Sequence, residues 1–116
     1  MDESNFIPMS DKNYSRPAQI PIRTERFEYL TKIYKPEAED GRWVMFHHPG
    51  HFRIYDRETR YCIFDAAYTI LKNPEEGTPG DIVAVVTDIK ISTDESRHEI
   101  IEEDFRVIDD LIVTEL

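Results

Sequence analysis

The sequence predicts an α+β domain: an antiparallel sheet of about five strands, curled or barrel-like, with a short helix and an amphipathic, acidic C-terminal helix. Three observations lead there. Nine aromatic residues fall between Phe27 and Asp65, and aromatics suit the pleated surface of strands. Residues 82–91 alternate, with Val83, Val85, Thr87, Ile89 and Ile91 set against Ile82, Ala84, Val86, Asp88 and Lys90. On a helical wheel, residues 94–112 place Ile100, Ile101, Phe105, Val107, Ile108, Leu111 and Ile112 on one side, with acids opposite. At 116 residues the chain is long enough for a single core without disulfide or metal.

Residues 1–23 contain Pro8, Pro17 and Pro21 among polar residues without periodicity. Each proline removes a donor and pushes its predecessor away from helix, which predicts an extended N-terminal arm. Its apolar residues Phe6, Ile7, Ile20 and Ile22 are positioned to dock on the domain or on a neighbouring chain. Residues 24–116 are then one α+β domain.

Four strands are expected in the aromatic stretch: Phe27–Tyr34, Trp43–His47, Phe52–Asp56 and Tyr61–Phe64, with turns at Pro36–Gly41, Pro49–Gly50 and Arg57–Arg60. Together they read as a meander. The first of these segments also fits a helical face behind Thr24 as cap, and periodicity alone does not separate the two. Asp65 ahead of Ala66–Lys72, with Asn73 and Pro74 behind, predicts a helix of about two turns. Residues 82–91 are the strongest strand. For the C-terminal segment, Glu102-Glu103-Asp104 as a strand puts charge on both faces, so helix is favoured, with Ser92 and Glu95 as a capping box. Asp104 breaks the pattern, and Val107, Ile108, Ile112 and Val113 are β-branched. The alternative ends the helix near Asp104 and makes Phe105 onward edge strand.

Charge divides the chain. Residues 1–72 hold eleven acids and eleven bases, whereas residues 73–116 hold thirteen acids and three bases, giving a net charge of −10 overall. That balance disfavours direct nucleic-acid binding and approach to an anionic membrane, and it attracts basic partners. The N-terminus lacks a basic start and an apolar run, so no secretory signal is expected, and no segment approaches the roughly 20 apolar residues of a membrane span. The one cysteine, Cys62, lies in an apolar run and is expected to be a buried hydrophobe. A reducing, cytoplasmic location fits.

No Gly-rich phosphate loop, nucleophile elbow, zinc-protease helix or paired cysteine motif occurs, and no cofactor is called for. His47-His48-Pro49-Gly50-His51 is the one local cluster of metal-ligand types. A metal-assisted hydrolase built on His47, His48 and His51 needs another ligand from Asp56, Asp65 or Cys62, and strand alternation sends His47 and His48 to opposite faces. Lys32, Lys35, Arg42, Arg53, Arg57 and Arg60 among the aromatics suggest single-stranded nucleic-acid binding by stacking, set against the simpler role of core rings and ion-paired bases. The sequence favours a third reading, a non-catalytic, acidic interaction protein acting as inhibitor, neutraliser or adaptor. Its partner is a larger basic or nucleic-acid-binding protein, bound as a nucleic acid mimic would be through Glu95, Glu99, Glu102, Glu103, Asp109 and Asp110. The sequence carries no signal of oligomeric state.

Overall fold

The computed structural model describes residues 1–38 and 41–113. Five strands form one antiparallel sheet: β1 (Asn13–Arg23), β2 (Trp43–His48), β3 (His51–Asp56), β4 (Cys62–Ile70) and β5 (Ile82–Ser92). Their order is β1-β5-β4-β3-β2, so β2 through β5 are a meander and β1 is added beside β5. Helix α1 (Thr24–Glu28) widens into a π turn over Tyr29–Ile33, and a short C-terminal stretch runs through Glu102–Phe105, α2 (Arg106–Ile108) and Asp109–Val113.

The β2–β3 hairpin follows the expected turn. Gly50 has φ +91 directly after Pro49, the residue order of a tight type II turn, and His48 pairs with His51 across it. From that register Trp43, Met45, His47, Phe52 and Ile54 fall on one face, and Val44, Phe46, His48, His51, Arg53 and Tyr55 on the other. The first face carries the main core, closed by Phe27 and Leu30 from the α1 region and by Val107, Ile108 and Ile112 from the C-terminus. On the second face Phe6, Val44, Tyr55 and Cys62 make a smaller cluster.

Four expectations are corrected. The helix over 66–72 is absent, because residues 62–70 form β4, paired on both sides by β3 and β5. Phe64, Ala66 and Tyr68 face the main core in alternation, while a bulge at Ile63 turns Cys62 to the other face beside Asp65. Segment 27–34 is helical rather than a strand, and Thr24 donates its hydroxyl to Thr78 O at 3.0 Å instead of capping. Residues 13–23 are extended but belong to the sheet, on an edge where Pro17 and Pro21 are tolerated. Residues 94–112 are not one helix: the chain is irregular until helical turns start at Glu102. Asp104, the residue that breaks the apolar stripe, is buried at 5% exposure. The expected turn at 36–41 includes residues 39 and 40, and the domain boundary at 116 includes residues 114–116, which lie outside the described residues.

No helix among the described residues is long and apolar enough to cross a membrane.

Candidate functional site

Beyond β5 the chain is anchored before it becomes acidic. Asp94 accepts hydrogen bonds from Ser10 Oγ at 2.8 Å and Ser96 Oγ at 2.5 Å, which hold its carboxyl below the usual carboxylate range, Ser96 contributing most. Arg97 Nη1 donates to Pro8 O at 2.8 Å, and its guanidinium lies 4.8 Å from the centre of the Tyr61 ring. His98 Nε2 sits 2.8 Å from Asp104 Oδ2, inside the fold. With these contacts facing inward, Glu95, Glu99, Glu102, Glu103, Asp109 and Asp110 are all exposed. Glu95, Glu99, Glu102 and Glu103 make no ion pair among the described residues, whereas Asp109 and Asp110 are engaged within the protein. The six residues expected from sequence are therefore at the surface, on an irregular segment and a short helical end rather than along one helical ridge.

The arginines are placed differently. Arg16, Arg26, Arg42, Arg60 and Arg97 each lie about 5 Å from an aromatic ring centre of the same chain, those of Phe105, Tyr29, Trp43, Phe6 and Tyr61 respectively. Of the nine aromatics between Phe27 and Asp65, none is fully exposed. A sheet face of free rings with arginines between them, as stacking of single strands requires, is not formed by these nine rings.

The histidine cluster divides as alternation dictates. His47 lies on the core face, its Nε2 2.7 Å from the Tyr68 hydroxyl, with its ring against Phe52 and Tyr68. Burial, followed by the nearby charges of His48 and His51, holds its pKa below the ordinary histidine value. His48 and His51 share the second face with ring centres 5.0 Å apart. Each is held by a carboxylate, His48 Nε2 by Glu3 Oε1 at 2.7 Å and His51 Nδ1 by Asp65 Oδ1 at 2.8 Å. The metal-assisted hydrolase needed His47 and His51 on one ion, and they face opposite sides of the sheet. Among the described residues, no three or more His, Cys, Asp or Glu side chains converge as a metal-binding set.

Glu3 is the member of this group that sequence reasoning missed. Besides His48 it accepts from the Tyr55 hydroxyl at 2.6 Å and lies 3.7 Å from Arg53 Nη1. Burial, then the hydrogen bond to Glu3, pushes the Tyr55 hydroxyl well above the ordinary tyrosine range. The available signal was the period-two placement of Arg53 and Tyr55 on β3, opposite Phe52 and Ile54. Nothing local to Glu3 marked it. No family model, curated protein or solved structure matches this chain.

Proposed function

We propose that the protein is a small, cytoplasmic, non-catalytic interaction protein that binds a larger basic or nucleic-acid-binding protein, as inhibitor, neutraliser or adaptor. The contact surface is the exposed acidic segment carrying Glu95, Glu99, Glu102 and Glu103, extended by Asp109 and Asp110. One observation carries the proposal: four carboxylates on a nine-residue stretch stand exposed without an ion-pair partner among the described residues, while five of the chain's guanidinium groups lie against its own rings. Unpaired surface carboxylates keep their field for an incoming cationic surface, where complementary potentials raise the association rate and suppress wrong partners. The irregular backbone from Thr93 to Ile101 does not weaken this, because steering depends on where charge sits and not on helical order.

The test is capture from the native cell. Tagged wild-type protein should retain a basic protein identified by mass, and the variant with Glu95, Glu99, Glu102 and Glu103 all changed to Gln should lose it. Equal capture by both proteins removes this surface as the site.

A further inference from the structure

We propose that the seat of Glu3 and Phe6 on the second sheet face is a recognition site for a partner segment that presents an acidic residue and, three positions later across a single 3₁₀ turn, an aromatic one. The chain's own N-terminal segment occupies this site as a tethered competitor. The seat has two parts. Its polar part consists of the Tyr55 hydroxyl, His48 Nε2 and the Arg53 guanidinium at 2.6, 2.7 and 3.7 Å from the Glu3 carboxylate. Its apolar part encloses Phe6, 5% exposed, with the rings of Phe46 and Tyr55 at 5.4 and 5.0 Å and the Arg60 guanidinium 4.9 Å from the Phe6 ring centre.

The two parts are joined by main-chain pairing. Ile7 N donates to Arg60 O at 2.8 Å and accepts through its carbonyl from Cys62 N at 3.0 Å, a short parallel bridge of the kind that adds an extended peptide to a sheet. The three side chains that meet the carboxylate come from the hairpin of β2 and β3, and each is positioned by something other than the N-terminal segment. Arg53 Nε lies 3.7 Å from Asp65 Oδ2, the Tyr55 ring packs on Phe46, and His48 is register-locked opposite His51. The site therefore persists when its occupant leaves. What departure uncovers is the Tyr55 hydroxyl, His48 Nε2 and the Arg53 guanidinium without the carboxylate they share. A partner carboxylate restores both the acceptor for Tyr55 and the negative charge facing Arg53, whereas an amide restores an acceptor alone.

The occupant has little structure of its own. Its own structure is one 3₁₀ turn, Glu3–Asn5, capped by Asp2, and the segment ahead of β1 contains Pro8. A short tether gives an intramolecular ligand an effective concentration on the order of millimolar, so an outside segment competes only after the internal one is weakened or when it brings contacts of its own.

The experiment uses the full chain carrying Glu3→Gln, titrated with a synthetic nine-residue peptide of the chain's own residues 1–9 while the His48 ring resonance is followed. The account expects a saturable shift of that resonance, at least fivefold weaker binding by the same peptide with Gln in place of its glutamate, and loss of binding in the Glu3→Gln/Arg53→Ala protein. Equal binding of the acidic and amide peptides, or no saturation with either, overturns the proposal. Should Glu3→Gln unfold the chain, Phe6→Ala loosens the segment with the three donors intact and is titrated with the same pair of peptides. Wild type itself must show the same acid-over-amide preference at peptide concentrations raised about tenfold or more, and absence of that preference counts against the site.

Discussion

Asp104 Oδ2 lies 2.8 Å from Nε2 of His98 and 2.9 Å from the backbone nitrogen of Ile101, so this one carboxylate closes the acidic segment on itself around His98. The geometry also fixes the imidazole. Arg42 Nη2 lies 3.1 Å from His98 Nδ1, and a guanidinium only donates, so Nδ1 accepts and Nε2–H donates to Asp104. Arg42 in turn donates from Nε and Nη2 to Asp56, at 3.1 and 2.9 Å. A line of charge-assisted bonds thus runs from the end of β3 to the start of the C-terminal turns, and it turns one acid inward while its neighbours remain in water.

Asp104→Ala strands the Nε2–H of His98, whose side chain is 9% exposed, and takes the acceptor from the part-buried Ile101 N–H. A loss of about 1–3 kcal/mol in unfolding free energy is expected, read as a lower denaturant midpoint with unchanged slope. Glu103→Ala, one residue earlier and exposed, should stay within about 0.5 kcal/mol of wild type. Similar effects from both would mean that the bonds of Asp104 do not brace this segment.

His47 makes stability depend on pH in a definite direction. Its folded-state pKa lies below the ordinary 6.5, because burial and then the charges of His48 and His51 disfavour the imidazolium. As pH falls through 6.5 the unfolded chain takes up the proton first, so the fold loses stability; above that value neither state is protonated and His47 contributes nothing. Replacing it with Phe, which fits the stack with Phe52 and Tyr68, should make the drop in denaturant midpoint between pH 7.5 and pH 5 smaller than in wild type. Equal drops in the two proteins would contradict the assignment.

Cys62 should be chemically silent in the native protein. Burial, then the charge of Asp65, pushes its thiol up to about 12, and its Sγ lies 3.5 Å from Phe64 O. At pH 8 almost none of it is thiolate, the reactive form. A disulfide-exchange reagent should label it only on the timescale of unfolding and at once in denaturant. Rapid stoichiometric labelling of the folded protein would show that the second-face cluster is open.

Much of the sheet was legible because its signals are local. Pro49 and Gly50 mark the hairpin, and the alternation of residues 82–91 needs no partner to be seen. The errors arose where tertiary pairing overrides local preference. Asp65 and Asn73-Pro74 carry the marks of helix ends around helix-forming alanines, yet β3 and β5 flank this stretch on both sides and draw it into the sheet. Pro17 and Pro21 argued against regular structure, but an edge strand tolerates missing donors. The exposure of the six acids followed from composition and pattern, whereas the shape of their backbone did not. Asp104 falls among the apolar residues because its partner His98 is buried with it, a relationship that periodicity cannot encode. Glu3 was invisible for a stronger reason: its partners His48 and Tyr55 are 45 and 52 residues away.

The most direct measurement is the salt dependence of association between this protein and its captured basic partner, for wild type and for the variant with Glu95, Glu99, Glu102 and Glu103 changed to Gln. The account predicts that the wild-type association rate falls on the order of tenfold between low and physiological ionic strength, and that the variant binds more slowly with a much flatter dependence. Identical rates and slopes for the two proteins would contradict it, placing recognition on another surface of the fold.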